Sequence, residues 1–256
     1  MIGIYFSGTG NSRYAAEYFI NLATTEKSNV FSIEDEKVIE KIKSSELLIF
    51  SYPVQFSSVP KFLQDFIIKN KKLWNGKKIF IIATMGLFSG DGSGILGRLL
   101  KKYGAKIIGG LHLKMPDSIC DEKLLKRHFD ENVKLIKKAE SKIKHAVKCL
   151  NAGKPTKEGL GLLCQIAGLL GQRLYFGYNT KHYCNKLFIN PEKCIICGKC
   201  EKLCPTANIK FVNKIAIHYN RCTMCYRCLN NCPKQAITLL GKKVVEQSTV
   251  EKFLSL

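Results

Sequence analysis

The chain has 256 residues, 46% of them hydrophobic, enough to bury one large core or a typical domain with a smaller one attached. Its net charge is +21, but the basic excess is spread along the whole chain without a recognition motif or basic-aromatic interleaving. That disfavours a nucleic-acid partner and favours an acidic protein partner. The opening MIGIYFS lacks a basic n-region, a long apolar h-region and a cleavage site, which reads as cytoplasmic. In that setting the 12 cysteines point to metal binding or reduced thiols, not to a disulfide scaffold.

Five short apolar runs, MIGIYF, NVFSI, ELLIFSY, KKIFIIAT and AKIIGGLHL, read as strands. Their near-continuous hydrophobicity suits a parallel sheet covered on both faces. Helical stretches separate them at residues 11–24, 36–43, 59–70 and 93–103, so residues 1–152 are expected to form a doubly wound α/β domain. Trp74 is expected to pack under the sheet. After the fifth strand, Ser118 with Asp121 predicts a capping-box start to a long amphipathic helix. Leu125, Phe129, Val133, Ile136, Ile143, Val147 and Leu150 make its apolar face, and Gly153 with Pro155 its stop. Lysines 134, 137, 138, 142, 144 and 148 fall mostly on a solvated face.

Residues 153–182 read as a helical, glycine-rich connecting segment. Within it, GLGLLCQIAGLLGQRLYFGY (159–178) is interrupted by Gln165, Gln172 and Arg173, too early for the roughly 20 apolar residues of a membrane span. The expectation is a helix packed on the domains, with weak membrane contact as the alternative.

A compact cysteine-rich domain is expected over residues 183–256. Residues 194–205, CIICGKCEKLCP, and 222–233, CTMCYRCLNNCP, each read C-x2-C-x2-C-x3-C-P, the second copy displaced by 28 residues. One C-x2-C serves zinc or a redox dithiol, and zinc sites commonly use paired knuckles. Two complete runs are the pattern of a domain holding two cubane iron–sulfur clusters. In this arrangement the fourth ligand is exchanged: Cys194, Cys197, Cys200 and Cys232 hold one cluster, and Cys222, Cys225, Cys228 and Cys204 the other. Pro205 and Pro233 turn the chain away from the clusters. Cys120, Cys149, Cys164 and Cys184 lie outside the runs and read as ordinary buried thiols. With eight cysteines and both prolines in place, residues 183–245 resemble the bacterial two-cluster ferredoxins.

The stretch FSGTGNS, residues 6–12, follows the first strand. A Walker A loop would need Gly-Lys and a hydroxyl residue after Gly10, and a dinucleotide fingerprint would need glycine in place of Arg13. What remains is a strand, a loop of glycines and hydroxyls, and a helix starting near Asn11. Its backbone N–H groups, the hydroxyls of Ser7, Thr9 and Ser12, and the helix N-terminus suit a phosphate; an ordinary βα turn is the alternative. SGTGNS resembles the T-x-T-G-N-T phosphate loop of flavodoxins. That resemblance implies FMN on Ser7, Gly8, Thr9, Gly10, Asn11 and Ser12, at the switch point of a 2-1-3-4-5 sheet.

The flavin ring would then meet YPVQFSSVP (52–60) and TMGLFSGDGSG (84–94). The residues expected there are Pro53, Val54 and Phe56 from the first loop and Thr84, Met85, Gly86, Leu87 and Phe88 from the second. Phe56 and Phe88 are candidates to flank the ring, with the backbone of residues 85–87 at its polar edge. One departure stands out: short-chain flavodoxins carry a glycine after the third strand whose peptide turns to reduced flavin N5, and YPVQFSS has none. The resemblance does not extend to that semiquinone stabilisation.

The two parts together resemble a family of anaerobe proteins called EFR1-type ferrodoxins, over essentially the whole chain. This implies cytoplasmic electron transfer with FMN and two 4Fe-4S clusters, and no defined substrate. Two clusters and a phosphate leave the protein at roughly +15, favouring an acidic redox partner such as a ferredoxin or flavodoxin. Two other readings stay open. One is a flavin-dependent reductase of a small molecule, for which Asp91 and His112 are the nearest acid or base groups. The other is a redox-sensing module that keeps its clusters without flavin.

Overall fold

In a computed structural model of the chain, residues 1–24, 29–87, 90–161, 164 and 184–254 are described. Five strands, β1 (Ile2–Tyr5), β2 (Val30–Ser32), β3 (Leu47–Pro53), β4 (Lys78–Met85) and β5 (Lys106–Lys114), pair in parallel in the order β2-β1-β3-β4-β5. Between them run α1 (Asn11–Ala23), α2 (Val38–Ser44), α3 (Lys61–Lys69) and α4 (Gly92–Lys101). This is the doubly wound order of flavodoxin-like sheets, and its switch point falls between β1 and β3.

Both faces of the sheet are buried, which is why its strands are apolar at consecutive positions. On one side Phe50, Ile79 and Ile81 pack with Leu63, Trp74 and Leu96; on the other, Ile49, Phe80 and Ile82 pack with Phe19 and Ile143. Trp74 is fully buried as expected, stacked on Phe50 with Nε1 donating to Ile67 O at 2.9 Å.

The long helix, α5, spans Phe129–Asn151 and so begins about ten residues later than Ser118 and Asp121 predict. Neither of those side chains caps it. The Ser118 hydroxyl meets Thr9 Oγ1 at 2.8 Å, and the Asp121 carboxylate is taken by backbone N–H groups of residues 239–241. The working capping box is His128 with Glu131, and Leu125 ends a separate 3-10 turn, Lys123–Leu125, before it. Ile136, Ile143 and Val147 face the core, and the six lysines are exposed.

Beyond α5, Gly110 N donates to Thr156 O and Glu158 N to Gly110 O, so residues 156–158 lie along the β5 edge. From residue 162 the predicted connecting segment lies outside the described residues, Cys164 excepted. Among the described residues no helix is long and apolar enough to cross a membrane.

The second unit shows its repeat in the backbone. Helices α6 (Lys199–Leu203) and α7 (Arg227–Asn231) are 28 residues apart. So are three pairs in the left-handed region: Ile196 with Met224, Gly198 with Tyr226, and Ala207 with Gln235. Strand β6 (Phe188–Ile189) pairs antiparallel with β9 (Ile237–Thr238), and β7 (Ile209–Val212) with β8 (Ile215–His218). The chain then returns: α8 (Glu251–Leu254) packs on α5, burying Val250 and Phe253 in the core of the first unit, with Val250 N donating to Thr9 O at 2.9 Å. Residues 250–253 of the stretch 183–256 thus lie on the α/β unit.

Candidate functional site

The carboxyl ends of β1, β3 and β4 open into a cavity of about 520 Å³, within the range of small-molecule sites. Ser7, Gly8, Thr9, Asn11 and Ser12 line it from the first loop, Pro53, Val54 and Phe56 from the second, and Thr84, Met85, Gly86 and Leu87 from the third. Gly10 is not in the lining; at φ +90 it turns the chain into α1. Phe88 lies outside the described residues.

The first loop is built as an anion cradle. No side chain caps α1, whose opening turn therefore has N–H groups and a positive dipole end to offer. Ser12 Oγ meets Thr84 Oγ1 at 2.7 Å, which fixes the first loop against the third. Asn11 donates Nδ2 to Pro116 O at 2.8 Å and keeps Oδ1 buried without a hydrogen bond, an acceptor suited to a sugar-alcohol hydroxyl. Apolar walls for a planar ring come from Val54, Met85 and Leu125. These features suit FMN.

The second loop lines the cavity and also reaches the second unit. Gln55 and Ser58 exchange backbone hydrogen bonds at 3.1 and 2.8 Å, with Phe56 at φ 47 and Ser57 at φ 55 between them. Two non-glycine residues in the left-handed region cost about 1–2 kcal/mol each. Phe56 borders the cavity and also packs against the core of the second unit.

Part of the cavity wall was not legible in the loops. Pro116, Asp117, Ser118 and Ile119 come from the segment after β5, and Lys186, Met224, Cys225, Tyr226 and Leu240 from the second unit. Reading Ser118 and Asp121 as the helix start hid the first group; for the second, nothing local pointed across units. Burial pushes the Asp117 carboxyl above its ordinary value, an effect the nearby charges of Arg127 and Lys126 partly offset. Arg127 in turn donates to Gly86 O at 2.8 Å.

Several contacts seat the second unit on this cavity. Gln55 Nε2 donates to Met224 O at 3.1 Å. Arg227 donates Nη2 to Ser7 O at 2.8 Å and forms a two-pronged pair with Glu34 at 2.7 and 2.9 Å. Asp121 Oδ2 accepts from Leu239, Leu240 and Gly241 N at 2.6, 2.9 and 3.1 Å.

The eight cysteines of the runs border two small voids, each of about 20 Å³. Cys194, Cys197, Cys200 and Cys232 line one, and Cys204, Cys222, Cys225 and Cys228 the other, the grouping that ligand exchange requires. Among the described residues no three His, Cys, Asp or Glu side chains converge on a single ion. Backbone N–H groups of Asn208 and Ala236 donate to Cys204 and Cys232 Sγ at 3.2 and 3.3 Å, again 28 residues apart. Burial raises the Cys225 and Cys228 thiols and pushes Cys200 to about 11, so holding iron as thiolates would require these sulfurs to give up a proton. All-thiolate donors grouped three and one suit 4Fe-4S clusters.

Of the other cysteines, Cys120 is buried and pushed to about 12, Cys149 is half-buried with Sγ 3.4 Å from His145 Nε2, and Cys164 is half-buried. The side chain of Cys184 lies outside the described residues. Asp91 and His112 are not in the cavity lining. Asp91 is fully buried and paired with Arg98, and His112 Nε2 faces Ser93 N and Oγ at 3.1 Å.

The fold and sites define a flavodoxin-like α/β unit joined to a cysteine-ligated cluster unit. Residues 186–233 match the family described as a 4Fe-4S dicluster domain. A comparison with curated proteins gave no match. Similar solved structures include a two-electron reduced flavodoxin of Megasphaera elsdenii, at 20% identity and TM-score 0.42, covering 58% of this chain and 99% of that one. The Trp repressor binding protein of Bacillus subtilis is 16% identical at TM-score 0.43, with 57% and 96% covered. An FMN-dependent NADH-azoreductase of Bacillus anthracis, in complex with FMN, is 10% identical at TM-score 0.37, with 59% and 99% covered. The fold assignment stands on the strand order, not on these scores.

Proposed function

We propose that the protein is an electron-transfer protein that passes electrons among FMN, two 4Fe-4S clusters and an external acidic redox protein. The observation that carries this reading is the wall shared by the two sites. Cys225 and Tyr226 line both the cavity at the phosphate loop and the void of the second cysteine set. A flavin in the first and a cluster in the second would be separated by a side-chain layer, and joining them on one chain removes the wait for encounter.

When bound, FMN would supply one- or two-electron chemistry and the clusters one-electron steps. The chain's part would be to hold the phosphate on residues 7–12, to border the ring with Met224 and Tyr226 in the cavity wall, and to fix the cluster loop against Ser7 through Arg227. The finer family placement, among EFR1-type ferrodoxins, draws support from the order of the two units and from the intact SGTGNS loop. The reductase reading has less to stand on, because Asp91 and His112 are held in pairs away from the cavity.

Anaerobic purification with iron, sulfide and FMN measured against protein tests the proposal, followed by stepwise reduction watched by absorbance. About eight irons and one FMN per chain, with reducing equivalents passing between them, is the expected result. Full iron with no FMN, and no uptake of added FMN, would sink it.

A further inference from the structure

The two cysteine runs have the same backbone and opposite surroundings. Ile196 and Met224, at φ 56 and 51, occupy equivalent places, as do Gly198 and Tyr226 at φ 71 and 60. The second copy is covered by the first unit: Thr223 is 7% and Met224 8% exposed. In the first copy their counterparts Ile195 and Ile196 are 55% and 46% exposed, and Cys197 is exposed beside them.

From this we infer that the Cys194–Cys200 loop is the docking surface for a reduced, acidic one-electron carrier protein. Electrons then enter at the set Cys194, Cys197, Cys200 and Cys232, and move inward through Cys204, Cys222, Cys225 and Cys228 to the cavity. This inference rests on the electron-transfer reading above.

The covered copy shows how such a loop is docked. It lays an apolar residue and a cysteine against the partner surface, and the basic residue after the second left-handed position, Arg227, pairs with a glutamate of the first unit. The equivalent residue in the open copy is Lys199, which is exposed, with Lys193 and Lys234 exposed nearby. Of the carboxylates in the same stretch, Glu201 is paired with Lys210 at 3.1 Å and Glu192 is exposed. The patch is therefore apolar at its centre with a basic rim, and a carboxylate-rimmed partner complements it. Each encounter moves one electron: the carrier is oxidised by one and this chain reduced by one, with no bond made or broken.

The test uses holoprotein and a small acidic ferredoxin kept reduced, with cluster bleaching followed by stopped flow. Lys193→Glu, Lys199→Glu and Lys234→Glu combined should lower the second-order rate at least tenfold at low salt, and the gap should close as salt rises. Reduction by dithionite should be unchanged. A control with Lys137→Glu, Lys144→Glu and Lys148→Glu on the exposed face of α5 removes the same charge elsewhere and should slow the reaction far less. Equal slowing in both variants, or none in the first, overturns the docking surface. Failure of the underlying reading is seen separately, before mixing, as missing iron or FMN.

Discussion

Gly8 of the phosphate loop lies directly against the carbonyl oxygen of Cys225, so closely that a Cβ on Gly8 would overlap it. The obstacle is backbone, which no rotamer change relieves. Gly8→Ala should therefore force the loops apart at a cost of about 1–3 kcal/mol. Iron content should stay at the wild-type level while cluster-to-flavin transfer slows at least tenfold in stopped flow. Unchanged transfer would mean that this contact does not set the electron path.

Asp121 joins the units at a second point. One carboxylate oxygen accepts three consecutive N–H groups, and charge-assisted bonds of this kind are the strong ones. Asp121→Ala should cost about 3 kcal/mol in urea unfolding and expose residues 239–247 to limited proteolysis. Asp121→Asn, which keeps one acceptor, should lie between. A proteolysis pattern identical to wild type in the alanine variant would show that α8 and Asn230, whose Nδ2 donates to Ser118 O at 2.8 Å, hold the units together without it.

Much of this architecture was legible from residue patterns. Parallel strands buried on both faces must be apolar throughout, so the five runs stood out, and the cysteine spacing is dictated by cubane geometry. Less legible were the choices that tertiary contacts decide. Ser118 and Asp121 look like a helix start, yet three unpaired N–H groups from another unit compete for that carboxylate and win. Phe56 borders the cavity, but nothing in its sequence neighbourhood indicated that a left-handed turn also packs it on the second unit's core. Tyr226 holds a left-handed position that glycine holds in the first repeat; the gain there is a buried side chain at the cavity, visible only once the units are docked.

The buried Asp117 gives a pH dependence with a definite sign. Burial raises its value in the folded chain, so the folded state holds the proton more tightly than the unfolded one. Its favourable contribution is complete in acid and is lost as pH rises through the raised value. Asp117→Asn should thus gain thermal midpoint over wild type as pH climbs from the ordinary carboxylate range toward neutrality. A gain that shrinks over that range would mean that the charges of Arg127 and Lys126 outweigh burial.

Ligand exchange can be tested by pairing variants. If Cys232 completes the set of Cys194, Cys197 and Cys200, then Cys232→Ala and Cys197→Ala should lose the same cluster and show the same low-temperature EPR spectrum on reduction. Cys204→Ala should match Cys225→Ala instead. Each variant should retain about four irons. The two pairs should also differ in function. With the outer set removed, the inner cluster still reduces flavin but the acidic carrier reacts slowly; with the inner set removed, the carrier reacts normally and the flavin stays oxidised. Were Cys232→Ala to match Cys225→Ala, each run would supply all four of its own ligands. The inward order of electron flow would then have to be rebuilt on that grouping, because the voids would no longer mark the clusters.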